Sequence, residues 1–222
     1  MISRFARRFA VGALALAGFS LAALGQTAPP VATAPFDFYV MTLSWSPGFC
    51  DLGGEEKSPQ QCAAGSGDGF VVHGLWPDNR MSADPEDCGL SPEPSADDLQ
   101  KARGLYPTDD LALHEYRKHG SCTGLAAADY FAAVRFVRDQ LNTPAMLKSP
   151  HERQRFSPRD IEQAFITANA NLRPDNMAIT CSHGELVDVR FCLSKDLRAF
   201  ATCPKVSGHT CRRSSIAVAP LR

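Results

Sequence analysis

The period of the hydrophobic pattern changes several times along the chain, and each change marks an element. Residues 38–46 read FYVMTLSWS, with Tyr39, Met41, Leu43 and Trp45 on alternate positions, the period of a strand. Residues 69–72 predict a short strand that carries His73 to a turn, signalled by Gly74, Pro77 and Asn79. Between them, residues 51–68 are polar and glycine-rich and read as a loop with Cys50 and Cys62 near its ends. Residues 78–107 are proline-rich and aperiodic, which predicts a long surface excursion.

Helical spacing takes over afterwards. Residues 109–119 predict a short helix stopped by Gly120, and residues 129–141 place Tyr130, Phe131, Val134, Val137 and Leu141 on one face. Ser157 followed by Pro158 is an N-cap with proline at the first helical position, opening a helix to about Asn169. Residues 177–181 and 185–193 (ELVDVRFCL) return to the strand period, with His183-Gly184 as the turn between them. No internal repeat and no regular β-α-β alternation are present. The chain is expected to be one α+β domain, a mainly antiparallel central sheet with packed helices, stapled by disulfides.

The N-terminus is of another kind. Arg4, Arg7 and Arg8 precede an uncharged apolar run, and Ala23-Leu24-Gly25 supplies the small residues of a cleavage site. The run is short for a membrane span, which needs roughly 20 apolar residues. Residues 1–25 are therefore expected to be an export signal and residues 26–222 the mature domain, with 26–35 as a flexible lead-in. The destination is periplasmic or extracellular, with no membrane contact after cleavage.

Export changes how charge and cysteine are read. Three of the 23 basic residues leave with the signal, so 20 face 24 acids, a net charge of −4. All six histidines lie in the mature part, and protonating them would bring the charge to +2. Attraction to a polyanion should therefore grow on acidification. Eight cysteines behind an export signal read as four disulfides. Structural zinc is the rival, but no two cysteines show C-x2-C spacing. Spacing alone leaves the pairing open.

Two segments could carry chemistry. In Val72-His73-Gly74-Leu75-Trp76-Pro77-Asp78, a strand end presents an imidazole beside a large flat ring. In His114-Glu115-Tyr116-Arg117-Lys118-His119-Gly120-Ser121-Cys122, His114 and Lys118 are four apart, as are Glu115 and His119. On a helix these four polar groups would share one broad face, with Tyr116 pointing toward the core. Two imidazoles, an ammonium and a carboxylate form a kit for proton transfer and anion binding. Lys118 and His119 also fall at the helix end where the macrodipole favours positive charge. A zinc peptidase requires H-E-x-x-H, and this segment is H-E-x-x-x-H, with its histidines about 140° apart around the helix. They would not chelate one metal from a regular helix.

Together the segments resemble the ribonuclease T2 family, whose motifs read HGLWP and H-E-W-x-K-H-G-x-C. The first is present unaltered at residues 73–77, and the second at 114–122 with Tyr116 for the usual Trp. The resemblance extends over most of residues 38–211. It implies an endoribonuclease that needs no cofactor and acts, as a monomer without a protein partner, on single-stranded RNA. His119 would be the base and His73 the acid, passing through a 2′,3′-cyclic phosphate to a 3′-phosphate. Lys118 and protonated His114 would offset the phosphorane charge, and Glu115 would either sit at the phosphorane or orient His119. Trp76 would stack an unpaired base. Asp78 is a base-contact candidate, because some members carry an acid directly after HGLWP. The family's disulfide pattern implies Cys50–Cys62, Cys88–Cys122, Cys181–Cys211 and Cys192–Cys203. Tyr116 departs from the pattern and needs a partner for its hydroxyl. His151, His183 and His209 read as surface residues. The competing class is a catalytically silent, disulfide-rich binding protein on the same fold, which a missing motif histidine would signal, and none is missing. A metal-dependent secreted hydrolase would be marked by ligand spacing that the chain lacks.

Overall fold

Strand β1 (Phe38–Trp45) is buried on both faces and organises the sheet around it. Tyr39, Met41, Leu43 and Trp45 enter the main core, while Phe38 and Val40 join a smaller apolar cluster on the opposite face. The computed structural model describes residues 31–89 and 92–222. The export signal lies outside the described residues, as does the first half of the lead-in. The rest of the lead-in is fixed rather than flexible: Ala32 is buried, and the Thr33 and Ala34 amides both donate to the Thr123 carbonyl at 3.2 Å.

β1 lies between β2 (Phe70–Asp78) and β5 (Glu185–Leu193), antiparallel to both. β4 (Met177–Ser182) pairs with the other edge of β5, and β3 (Gln154–Phe156) with β6 (Ile216–Val218) extends the sheet to six strands. The β5–β6 contact, Glu185 against Ala217, is parallel; the other strand pairs of the described sheet are antiparallel. His183 and Gly184, with φ of 50° and 88°, make the two-residue turn between β4 and β5.

β2 departs from expectation. It does not end at His73 but runs on to Asp78, with Pro77 opposite Tyr39. Proline is tolerated because β2 is an edge strand, where its missing N–H breaks no ladder. The register shows what the glycine and histidine do instead. Leu43 faces Val72 and Thr42 faces Gly74, so His73 is the extra residue of a β-bulge. Cross-strand partners share a face. Thr42 and Ser44 of β1, Gly74 and Trp76 of β2, and Asp188 and Arg190 of β5 therefore line the face opposite the main core.

The longer helices pack on the core face, while Val206 of the last helical turn joins the smaller cluster on the other. α1 (Ser46–Asp51) and α2 (Pro59–Cys62), with a 3-10 turn between them, replace much of the loop expected after β1. The excursion after β2 likewise ends in α3 (Ala96–Ala102), started by a capping box between Ser95 and Asp98. Ala102, Leu105 and Tyr106 behind it are core residues. α4 (Asp109–Lys118) starts at Thr108, whose hydroxyl oxygen accepts from the Leu111 amide. α5 (Ala127–Gln140) and α6 (Pro158–Ala168) follow, the latter capped by Ser157 as its sequence predicts. α7 (Pro204–Ser207) is a single turn near the C-terminus. Among the described residues no helix is long and apolar enough to cross a membrane. The cysteines join as Cys50–Cys62, Cys88–Cys122, Cys181–Cys211 and Cys192–Cys203.

Tyr116 fills the core between α4 and α5, its ring 5.6 Å from that of Tyr130 and 6.0 Å from that of Phe131. Its hydroxyl donates to the Leu125 carbonyl at 3.3 Å. A Cβ on Gly120 would come within 2.6 Å of the ring. Gly120 is thus required by the Tyr116 packing as well as following the helix end. Tyr116→Phe should destabilise the oxidised protein by about 1 kcal/mol, read as a lower urea midpoint at unchanged slope. An unmoved midpoint would mean that the hydroxyl bond contributes nothing.

Candidate active site

The bulge turns His73 onto the polar face of the sheet, beside Ser44 and Asp188, which are direct cross-strand partners. The Ser44 hydroxyl donates to Asp188 Oδ1 at 2.6 Å, and its oxygen lies 3.3 Å from His73 Nδ1. His73 Nδ1 is itself 3.9 Å from Asp188 Oδ1. The other carboxylate oxygen faces Thr180 Oγ1 at 3.4 Å and Arg190 Nη2 at 3.7 Å. On the far side of the ring, His73 Nε2 lies 3.6 Å from Glu115 Oε1. Burial alone would lower the His73 pKa, but Asp188 and Glu115 outweigh it and raise the value above 6.5. Asp188 responds in the opposite sense: its burial is overcome by His73 and Ser44, and its pKa falls below the ordinary value.

His119 caps the C-terminal end of α4 and is only 7% exposed. Burial, then the positive charges of Lys118, His73 and His114, push its pKa down to about 4. The charged form that the helix dipole would favour is therefore not the resting one. The expected broad polar face also divides. Glu115 and His119 turn inward and are buried, His114 is exposed, and Lys118 is half-exposed with Nζ 3.7 Å from Glu86 Oε2. Glu86 belongs to the segment that Cys88–Cys122 ties to the end of α4, where the Asp87 amide donates to the Lys118 carbonyl at 2.7 Å.

Trp76 joins the two histidines. Its ring centroid is 5.3 Å from that of His73 and 5.1 Å from that of His119. Its indole N–H donates to Glu115 Oε2 at 2.7 Å, and the Arg190 guanidinium lies 5.5 Å from the ring centroid. Gly74 makes this bond possible, since a Cβ there would stand 2.1 Å from Trp76 Nε1 and 2.3 Å from Glu115 Oε2. The Glu115 carboxylate thus faces His73 and Trp76, and only its backbone carbonyl meets His119, accepting from the His119 amide at 2.9 Å. Burial raises the Glu115 pKa, opposed by His73, the indole, His114 and Lys118.

Asp78 lies on the same strand face two residues beyond Trp76 and is buried against Asp84 and Lys205. Burial, then Asp84, pushes its pKa up to about 7, while Lys205, 3.6 Å away, opposes the shift. Lys205 Nζ also contacts both Asp84 carboxylate oxygens at 2.6 Å. Next to His73 opens a cavity of about 320 Å³ lined by Ser44, Phe49, Lys57, Gln61, Thr108 and Leu111, among others. His151, His183 and His209 are exposed and away from the two motif segments in sequence.

Sequence reasoning missed Ser44, Asp188 and Arg190. The signal was present in ELVDVRFCL, where two opposite charges alternate with buried Val189 and Phe191 on one strand. Polar residues spaced by two on an otherwise apolar strand mark a face that is doing something other than packing. Ser44 carried no such signal, since a serine in a strand is unremarkable without its partner across the sheet.

The sequence pattern of the ribonuclease T2 family matches residues 36–203. A probable ribonuclease from Haemophilus influenzae is 34% identical over 156 residues, covering 63% of this chain and 57% of that protein. Ribonuclease DdI from Dictyostelium discoideum is 30% identical over 197 residues, 81% of this chain and 83% of its own length. Among solved structures, RNase NT in complex with 5′-AMP superposes with a TM-score of 0.67 at 23% identity, over 84% of this chain and 100% of its own. An RNase-related protein from Calystegia sepium gives 0.68 at 17% identity, over 86% and 100% respectively. Those two likenesses establish a shared fold. With the family pattern spanning both histidine segments and the sheet that presents them, the chain belongs to the ribonuclease T2 family.

Proposed function

We propose that this ribonuclease cleaves single-stranded RNA by transphosphorylation, with no metal ion taking part, His119 being the base and His73 the acid. One observation carries the reading: two imidazoles flank the Trp76 ring, one placed among carboxylates and the other among cations. At mildly acidic pH, His119 is neutral and can take the ribose 2′-OH proton. His73 is then protonated and can deliver a proton to the leaving 5′ oxygen. The 2′ oxygen bonds to phosphorus as the P–O5′ bond breaks, giving a 2′,3′-cyclic phosphate and a free 5′-OH. Water can open the ring with the two roles reversed, leaving a 3′-phosphate.

Lys118 and His114 stand at the solvent side of α4, where they would offset charge growing on the phosphorane. Half-buried Trp76 provides a surface for an unpaired base, with Asp78 and its partner Asp84 further along the same wall. DNA lacks the 2′-OH and would not be cut. Four disulfides favour an oxidising compartment, which fits export by the N-terminal signal.

The test is cleavage of a short single-stranded RNA in chelator, with the new ends identified by mass spectrometry. Cyclic or 3′-phosphate ends are expected, and His119→Ala should cost at least about 100-fold in kcat. Activity should fall below about pH 4 as His119 gains its proton, and fall again on the alkaline side as His73, raised above 6.5, loses its own. Intact RNA from folded, oxidised protein would overturn the proposal, and activity that returns only with added metal would mean different chemistry.

Gly74→Ala tests the architecture behind it. The new methyl group must displace the indole or the Glu115 carboxylate, so kcat should drop at least about tenfold, more than KM changes. A variant with wild-type kcat would show that the Trp76–Glu115 bond does not set the geometry of the site.

A further inference from the structure

The Ser44 hydroxyl has one proton, and the 2.6 Å contact with Asp188 Oδ1 takes it. Its 3.3 Å approach to His73 Nδ1 must then be an N–H donated by the imidazole. That direction fixes the tautomer. Nδ1 keeps its hydrogen in both charge states, and the exchangeable proton belongs to Nε2, which faces Glu115 and the site. The Asp188 side chain is only 8% exposed and is enclosed by Ser44, Thr180, Arg190 and His73. It has no free approach to RNA and acts only through what it touches.

We propose that Ser44 and Asp188 are positioning residues for RNA cleavage, a hydroxyl-bridged relay that orients His73 and presents Nε2–H to the leaving oxygen. The inference rests on the acid role of His73 proposed above. The charged and titratable groups around His73 are Asp188 and Arg190 on β5, and Glu115 with the more distant His114, Lys118 and His119 on α4 and its end. Lys57 and Asp110 line the cavity beside it. Among the described residues Asp188 is the carboxylate that lies within 4 Å of His73 Nδ1, and the Ser44 bridge leads to it alone. Arg190, 3.7 Å from Asp188, restrains the pair from binding the proton too tightly.

Three measurements decide the matter. In the wild-type protein, ¹⁵N shifts of neutral His73 should report the Nδ1–H tautomer, and the Nε2–H tautomer would overturn the relay. Asp188→Asn and Ser44→Ala should move the alkaline limb of kcat/KM about one pH unit lower and cost about tenfold on a dinucleotide at neutral pH. The serine variant serves if the asparagine variant does not fold. On a nucleoside 3′-(4-nitrophenyl phosphate), whose leaving group needs no proton, both variants should stay within about twofold of wild type. An unmoved limb, or equal losses on the two substrates, would overturn the inference. His73→Ala separates this from the reading beneath it: it should fail on the dinucleotide and survive on the nitrophenyl ester. Failure on both would overturn the acid assignment itself.

Discussion

One surplus residue between β1 and β2 governs the site. Leu43 and Thr42 are adjacent, yet their partners Val72 and Gly74 are two apart, and His73 is the remainder. Without the bulge the strict alternation of β2 would put Val72 on the face of Gly74 and Trp76 and opposite Leu75, so the two apolar residues could not both enter the core. With it, Val72 and Leu75 both enter the core, while His73, Gly74 and Trp76 all meet the polar face. The histidine then lies within reach of β5, and the missing side chain at residue 74 admits Glu115 from α4. A sheet edge, a central strand and a helix end meet at one ring because of a single unpaired residue.

That meeting gives the two histidines opposite characters. His73 has a carboxylate beyond each ring nitrogen, Asp188 on one side and Glu115 on the other. His119 has no acid within 4 Å among the described residues: it is buried at a helix end beside Lys118, and Asp84 opposes its positive neighbours only weakly. The acid and base roles proposed for them would require different surroundings for the same side chain. Here the difference is made by burial and neighbouring charge, and Trp76 keeps the two environments apart. The indole bond to Glu115 also holds the shared wall in place, so the separation does not depend on flexible side chains.

Much of this was legible in the chain. Alternating Tyr39, Met41, Leu43 and Trp45 marked the central strand, the Ser157-Pro158 pair marked α6, and the two histidine segments marked the candidate site, which the fold brings together around Trp76. What stayed hidden has physical causes. The β2 turn reading treated Gly74 and Pro77 as breakers, whereas one serves a close approach and the other sits harmlessly on an edge. The capping box of α3 was masked by surrounding prolines, and the core role of Leu105 and Tyr106 by the aperiodic sequence around them. Asp188 and Ser44 are 144 residues apart, and nothing local announces a cross-strand hydrogen bond. Glu115 could be read toward either histidine until α4 was placed against β2.

The same layering bears on the slight excess of acidic over basic residues in the chain. A protein with more acids than bases should repel a polyanion if net charge decided the encounter. What an approaching phosphate meets is different. The two carboxylates nearest His73 are withdrawn, Glu115 with a side chain 2% exposed and Asp188 with 8%, while the imidazole itself is 40% exposed and Lys118 37%. His114 is exposed beside them. Glu115 and Asp188 thus lie behind the exposed imidazole, and Glu86, the acid paired with Lys118, is drawn to its ammonium rather than to His73. The fields of Glu115 and Asp188 act at short range through the protein, where screening is weak, and are diminished toward the solvent by the positive groups in front. Net charge is a sum over the surface, and the proposed encounter with a phosphate would depend on which charges stand nearest the imidazole.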